Sequence, residues 1–82
     1  MNCMRIPKRT NLALLQSVAR KLKQLRISLG YSQEYVNENT GLNIPRIEAG
    51  MTNLSLVTLA LLCDFYRISL GDFFEGIGRE AE

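Results

Sequence analysis

The chain has no histidine, no tryptophan, two cysteines and two prolines. Without an imidazole there is no Ser-His-Asp or Cys-His catalysis, no His-ligated zinc and no imidazole proton shuttle. Cys3 and Cys63 lie far apart with no partner motif, so neither a disulfide framework nor a metal site is expected. The six glycines are scattered at the ends of elements and form no phosphate-cradling loop. An enzyme is therefore not expected, nor a cofactor, metal ion or small-molecule ligand. No apolar run approaches the roughly 18–20 residues that span a bilayer, so no membrane partner is expected either. The opening nine residues, Met1 to Arg9, have no apolar stretch after their charges, which predicts no signal peptide and a cytoplasmic location.

What remains is a small globular chain. Its 82 residues make one domain at most, with 46% hydrophobic and 22% charged residues. A chain this long buries roughly 60% of its unfolded surface, enough for a marginal core without cross-links. The formal charge of +2 conceals a division along the chain. Residues 1–33 carry seven cations (Arg5, Lys8, Arg9, Arg20, Lys21, Lys23, Arg26) and no acid, whereas residues 34–82 carry three cations against eight acids. Such a chain can turn a basic face to a polyanion and stay soluble, although charge alone equally describes a solvated helix face.

Helical periodicity organises the sequence. Leu12, Leu15, Val18, Ala19, Leu22, Leu25 and Leu29 recur at the spacing of one helical face, with Thr10 or Asn11 as N-cap and Gly30 as the left-handed residue after the end. Ser32 caps a second helix to about Asn39, with Tyr35 and Val36 facing inward, and Thr40-Gly41 ends it. Asn43 caps a third that opens Ile44-Pro45, where proline is tolerated, and stops near Ala49-Gly50 after barely two turns. Ser55 caps a fourth, with Leu54 stapling against Leu59 and a buried stripe of Leu56, Leu59, Ala60, Cys63 and Tyr66. Cys63 reads as a small core residue. Ser69 caps a fifth helix, with Asp72 three residues on, Ile68 stapling against Phe73 and Gly76 as its end. Asp72 and Glu75 are helix-end residues and no acid/base pair. The expected division is a basic arm over 1–10, a helical domain over 11–76 and a short tail over 77–82. There is no strand signal and no internal repeat, so the fold class is all-α with five helices.

Two short helices joined through a glycine turn are the arrangement of the DNA-binding helix-turn-helix. Leu25-Arg26-Ile27-Ser28-Leu29-Gly30-Tyr31-Ser32-Gln33-Glu34 resembles the opening of the Cro and phage-repressor type (Xre-like) family, and Gly41 stands at its turn glycine. Arg46-Ile47-Glu48-Ala49-Gly50 resembles the end of that family's recognition helix. Asn53-Leu54-Ser55 with Leu59, and Ile68-Ser69-Leu70 with Phe73-Phe74, are similar to its later helices. The similarity runs from about Val18 to Phe74. It implies a compact five-helix repressor-like domain, binding to double-stranded DNA, usually a dimer, and repression of transcription by promoter occlusion.

The chain departs from that pattern in four places. Asn37 stands where the family usually has alanine, and the amide must find partners or face water. From Gly41 to Glu48 is seven residues against about ten in relatives, a loss close to one 3.6-residue turn that keeps Ile47 and Glu48 nearly in phase. Ile44 and Pro45 occupy places where relatives often carry polar base-reading side chains, and Met51 sits where many keep a cation.

The resemblance implies a set of contacts. Asn43 and Arg46 are the base-reading candidates, with Ile44 placed to touch a thymine methyl. Gln33, beside Ser32 at the start of the second helix, and Asn53 match phosphate contacts, and Lys8 and Arg9 form a basic arm. Arg26 and Glu48 match a pair that the family closes across its core. Phe73, Phe74 and Ile77 crowd into a helix with one side to bury, a candidate homodimer patch. An alternative assignment is a protein-interaction module, antitoxin-like or an accessory subunit, whose shortened third helix no longer reads bases.

Overall fold

A computed structural model describes residues 11–77. Five helices follow one another: α1 Leu12–Ser28, α2 Gln33–Thr40, α3 Ile44–Glu48, α4 Leu56–Phe65 and α5 Leu70–Phe73. Among the described residues there is no strand, and no helix is long and apolar enough to cross a membrane.

Every helix starts on the side-chain oxygen of an Asn or Ser. Asn11 accepts from the Leu14 N–H at 3.0 Å, Ser32 from Tyr35 at 3.0 Å and Asn43 from Arg46 at 3.2 Å. Ser55 accepts from Thr58 and Ser69 from Asp72, both at 3.0 Å. Each cap satisfies one orphan first-turn donor and stabilises its helix by about 1 kcal/mol. Repeated early caps on short segments divide the chain into five pieces instead of two or three long helices.

The ends of α1 and α4 share one geometry. After α1 the Gly30 N–H donates to the Ile27 carbonyl (2.9 Å) and Tyr31 to Arg26 (3.1 Å). After α4 the same two bonds run from Arg67 to Asp64 (3.1 Å) and from Ile68 to Cys63 (2.9 Å). Both are Schellman ends, which need a left-handed residue in the middle. Gly30 meets this without strain, but at the second site Arg67 itself adopts φ 63°.

Val18 and Leu22 of α1, Val36 of α2, Ile44 and Ile47 of α3, Leu59, Leu62 and Cys63 of α4, Tyr66 and Phe73 form one buried cluster. Each large apolar side chain placed there contributes roughly 1.5–3 kcal/mol relative to exposure. Leu54 and Ile68, the residues before the Ser55 and Ser69 caps, are half-buried against this core. The short α3 packs on both α1 and α2.

Several apolar positions expected inside lie outside. Tyr35 is exposed, because the eight residues of α2 present Val36 to the core and Tyr35 next to it stands to one side, against the rings of Tyr31 and Phe65 at 4.9 and 6.2 Å. Leu56 is exposed because it starts α4 beyond the end of the core, while the buried positions on that helix are Leu59, Leu62 and Cys63. Leu12 and Leu29 are exposed at the two ends of α1 for the same reason.

Candidate nucleic-acid interface

The turn between α2 and α3 is held by side chains that compensate for its brevity. Thr40 Oγ1 donates to the Val36 carbonyl at 2.7 Å and accepts from the Leu42 N–H at 3.2 Å. Asn37 Oδ1 accepts from the Ile44 N–H at 2.8 Å. That N–H is one of the orphan donors at the start of α3, so the Asn37 amide fastens α2 to α3. Gly50 then ends the α3 segment at φ 74°, and a Cβ there would lie 3.2 Å from Gln16 Cγ and 3.3 Å from Gln16 Cα on α1. Only glycine allows the chain to turn left-handed this close to α1.

Beneath the turn, one carboxylate joins three helices. Arg26 Nε donates to Glu48 Oε2 at 2.7 Å and Arg26 Nη2 to Glu48 Oε1 at 3.0 Å, a bidentate pair with side chains only 10% and 4% exposed. Arg26 Nη1 donates to the Tyr31 carbonyl at 2.9 Å, and Gln33 Nε2 donates to Glu48 Oε1 at 2.9 Å. The hydrogen bonds that Arg26 donates to Glu48 raise its pKa above the ordinary value, against the opposing effect of burial. Burial first, and then the charge of Glu48, push the nearby Tyr66 phenol up to about 12, so it stays neutral. The geometry is that of an orienting clamp: α1, α2 and α3 share it, and it fixes the angle at which α3 stands.

The recognition candidates disperse around this clamp. Arg46 is exposed, and its Nε donates to Thr52 Oγ1 at 3.2 Å, a hold that its place in the sequence did not announce. Among the described residues no carboxylate pairs with it. Asn43 is exposed as well, but its Oδ1 already caps α3 through Arg46 N–H. A bidentate reading of adenine needs that oxygen, so the cap competes with it.

Ile44 corrects an expectation. It is 1% exposed and part of the core, so it cannot touch a thymine methyl. With α3 reduced to five residues, the same short segment must supply both anchors to the core, Ile44 and Ile47. The Gln33 side chain is turned to Glu48, which leaves a phosphate only the backbone of the α2 terminus. Ser32 caps there from an exposed position, and Asn53 is exposed in the segment between α3 and α4. Lys8 and Arg9 lie outside the described residues.

Other sequence features turn out to be internal. Lys21 Nζ donates to the carbonyls of Asp72 (3.4 Å) and Glu75 (3.3 Å) at the end of α5 and lies 5.5 Å from the Phe73 ring centroid. With Arg26 in the clamp, two of the four α1 cations serve the fold, and Arg20 and Lys23 remain on the surface. Cys63 is buried and burial pushes its thiol up, which makes it a core residue and a poor nucleophile.

The expected dimer patch does not assemble. Phe73 is fully buried, and Ile77 is half-buried against the core beside Arg20 and Lys21. Phe74 is exposed elsewhere, on a groove lined by Leu14, Leu15, Leu54 and Leu56. Of the four residues of α5, Phe73 is buried and Leu70 is half-buried against the core.

Comparison with curated proteins and with solved structures returns no match. A family model, described as helix-turn-helix and of the Cro/C1 type, matches residues 22–73. That span covers the second half of α1, the α2–α3 unit with its clamp, α4 and α5 up to Phe73. The chain belongs to the Cro/C1-type helix-turn-helix family, a family of DNA-binding regulators.

Proposed function

We propose that this chain binds double-stranded DNA as a transcriptional regulator in the cytoplasm, and that it represses by occluding a promoter as a homodimer. The observation that carries this reading is the Arg26–Glu48–Gln33 clamp, which spends buried charge on fixing the recognition helix to α1 and α2. A buried pair is a poor device for net stability and a good one for setting an angle. Arg46 is the base-reading residue, held at Nε by Thr52 with its remaining edge free to meet guanine. The start of α2 at Ser32 and Gln33, together with Asn53, meets the phosphates through backbone N–H and amide groups. Lys8 and Arg9 add a basic arm, and Asn43 contributes only as far as its cap permits. One reading side chain per half-site means modest specificity, which a dimer multiplies.

A second reading, an interaction module that no longer reads bases, is favoured by the burial of Ile44 and the occupied oxygen of Asn43. A salt titration of duplex binding separates the two. Each phosphate neutralised by a cation makes log K fall with log salt by a slope of about −0.9. The DNA-binding reading expects binding at low salt with a slope of several such contacts. Absence of duplex binding at low salt leaves the interaction module alone.

A further inference from the structure

The chain folds back on α3 as soon as the helix ends. Gly50 turns left-handed at φ 74°, and Thr52 then stands half-buried within reach of Arg46. Arg46 Nε donates to Thr52 Oγ1 at 3.2 Å, and the Arg46 backbone N–H donates to the Asn43 cap at 3.2 Å. The residue is therefore held at both its backbone and its guanidinium. An exposed arginine otherwise turns about several bonds and loses that freedom on binding. Here a β-branched side chain, stiff at χ1, holds the guanidinium by its Nε. A guanidinium has five N–H donors, one on Nε and four on the two Nη atoms. Thr52 takes the first, and among the described residues no hydrogen bond or ion pair takes the others. Arginine meets guanine O6 and N7 through two neighbouring N–H groups, either Nε with one Nη or the two Nη together. With Nε held, the edge formed by Nη1 and Nη2 is the one left for a base.

We propose that Thr52 is a positioning residue for base reading: its hydroxyl sets the guanidinium plane of Arg46 so that the Nη1–Nη2 edge meets one guanine. The inference rests on the DNA-binding reading and adds a specificity-determining residue to that site. The chemistry of the hydroxyl suits this task. Arginine has only donors, so whatever orients it must accept. A carboxylate would accept more strongly, but it would neutralise the charge and repel the phosphates nearby. A neutral hydroxyl orients the plane and leaves its charge whole. Without that hold, the long side chain reaches a phosphate as readily as a base edge, and a phosphate contact carries no sequence information. Thr52 thus governs discrimination between sequences, while the attraction to the duplex belongs to the cations.

The test compares the full chain with Thr52→Val, which keeps the branched shape and loses the acceptor, and with Thr52→Ser, which keeps the hydroxyl. Circular dichroism checks that each is folded. The probes are the duplex that the wild type selects from a random pool and the same duplex with the chosen guanine replaced. Thr52→Val should lower the preference between them by about two- to tenfold, the size of the cost of ordering one long side chain. Its affinity for the replaced duplex and its salt slope should stay those of the wild type. Thr52→Ser should recover most of the preference, and Thr52→Val should change nothing further once Arg46→Ala is present. Without DNA, heteronuclear NMR should show the Arg46 Nε–H exchanging with water faster in Thr52→Val than in the wild type. An unchanged preference in Thr52→Val, or a serine variant that behaves like valine, overturns the proposal. An equal loss on both duplexes makes Thr52 a phosphate contact and overturns it as well. A wild type that discriminates between the duplexes while its Nε–H exchanges as fast as in Thr52→Val sinks the proposal and leaves the DNA reading standing. A wild type that binds no duplex, with the slow Nε–H still present, refutes the DNA reading itself, and the proposal falls with it.

Discussion

Removing one partner of the clamp should cost far more than its place on a small surface domain suggests. In Glu48→Ala the guanidinium of Arg26 loses the acceptors of both Nε and Nη2 and keeps only the Tyr31 carbonyl at Nη1. Gln33 Nε2 loses its acceptor as well. In Arg26→Ala the carboxylate keeps Gln33 alone, at a side chain 4% exposed, and the Tyr31 carbonyl is orphaned. Each single change therefore leaves a nearly dry, unpaired charge, for which about 3–5 kcal/mol is expected. The whole domain has about 4–12 kcal/mol at 82 residues, so either variant approaches unfolding at room temperature. The double variant removes both charges and should cost much less than the two singles together, a coupling of about 1–3 kcal/mol. Glu48→Gln, which keeps one acceptor for Arg26, should fall between wild type and alanine and remains measurable if the alanine variants do not fold. Urea unfolding followed by circular dichroism gives all four free energies. Single losses under about 0.5 kcal/mol, or strict additivity, would show that solvent already screens the pair, and Arg26 would return to the candidate phosphate contacts.

Arg67→Gly should stabilise the fold by about 0.5–1 kcal/mol in the same assay, because it relieves the φ 63° strain while keeping the two Schellman bonds. Gly50→Ala should cost about 2 kcal/mol or more, from its left-handed backbone and from the Cβ that would meet Gln16 at 3.2–3.3 Å. Tyr66, pushed up to about 12 from an ordinary value of 10, favours the folded state while neutral. Its contribution is whole below pH 10 and disappears as pH rises from 10 to 12, by at most about 2–3 kcal/mol, and Tyr66→Phe should flatten that part of the stability–pH curve. Arg46→Ala should relax one base pair per half-site by about 1–3 kcal/mol, whereas a uniform loss over all sequences would make Arg46 a phosphate contact.

Local chemistry made most of the fold legible. Ser32, Asn43, Ser55 and Ser69 cap where their positions suggest, since an N-cap depends only on the three residues that follow. The Arg26–Glu48 geometry follows a pattern that spans both residues and is visible in the chain. What stayed hidden depends on tertiary distance. Nothing around Arg67 marks a left-handed residue, because its conformation comes from α4 ending on Ile68 and Cys63. Ile44 looks like an exposed first-turn residue until α3 proves to be five residues long. Lys21 reads as a surface cation until α5 folds back beneath it, and Asn37 as a misfit until Ile44 N–H reaches it. Leu56 at the start of α4 carries the spacing of a core residue, because periodicity gives the apolar face and not the place where the core stops.

Whether a clamped five-residue recognition helix still reads duplex DNA is decided by selecting bound duplexes from a random pool at low salt. The expected result is enrichment of paired half-sites about one helical turn apart, each with a strongly chosen guanine that Arg46→Ala no longer selects. Recovery of an unenriched pool by the folded wild type, with the Arg46 variant indistinguishable from it, would contradict base reading by this helix.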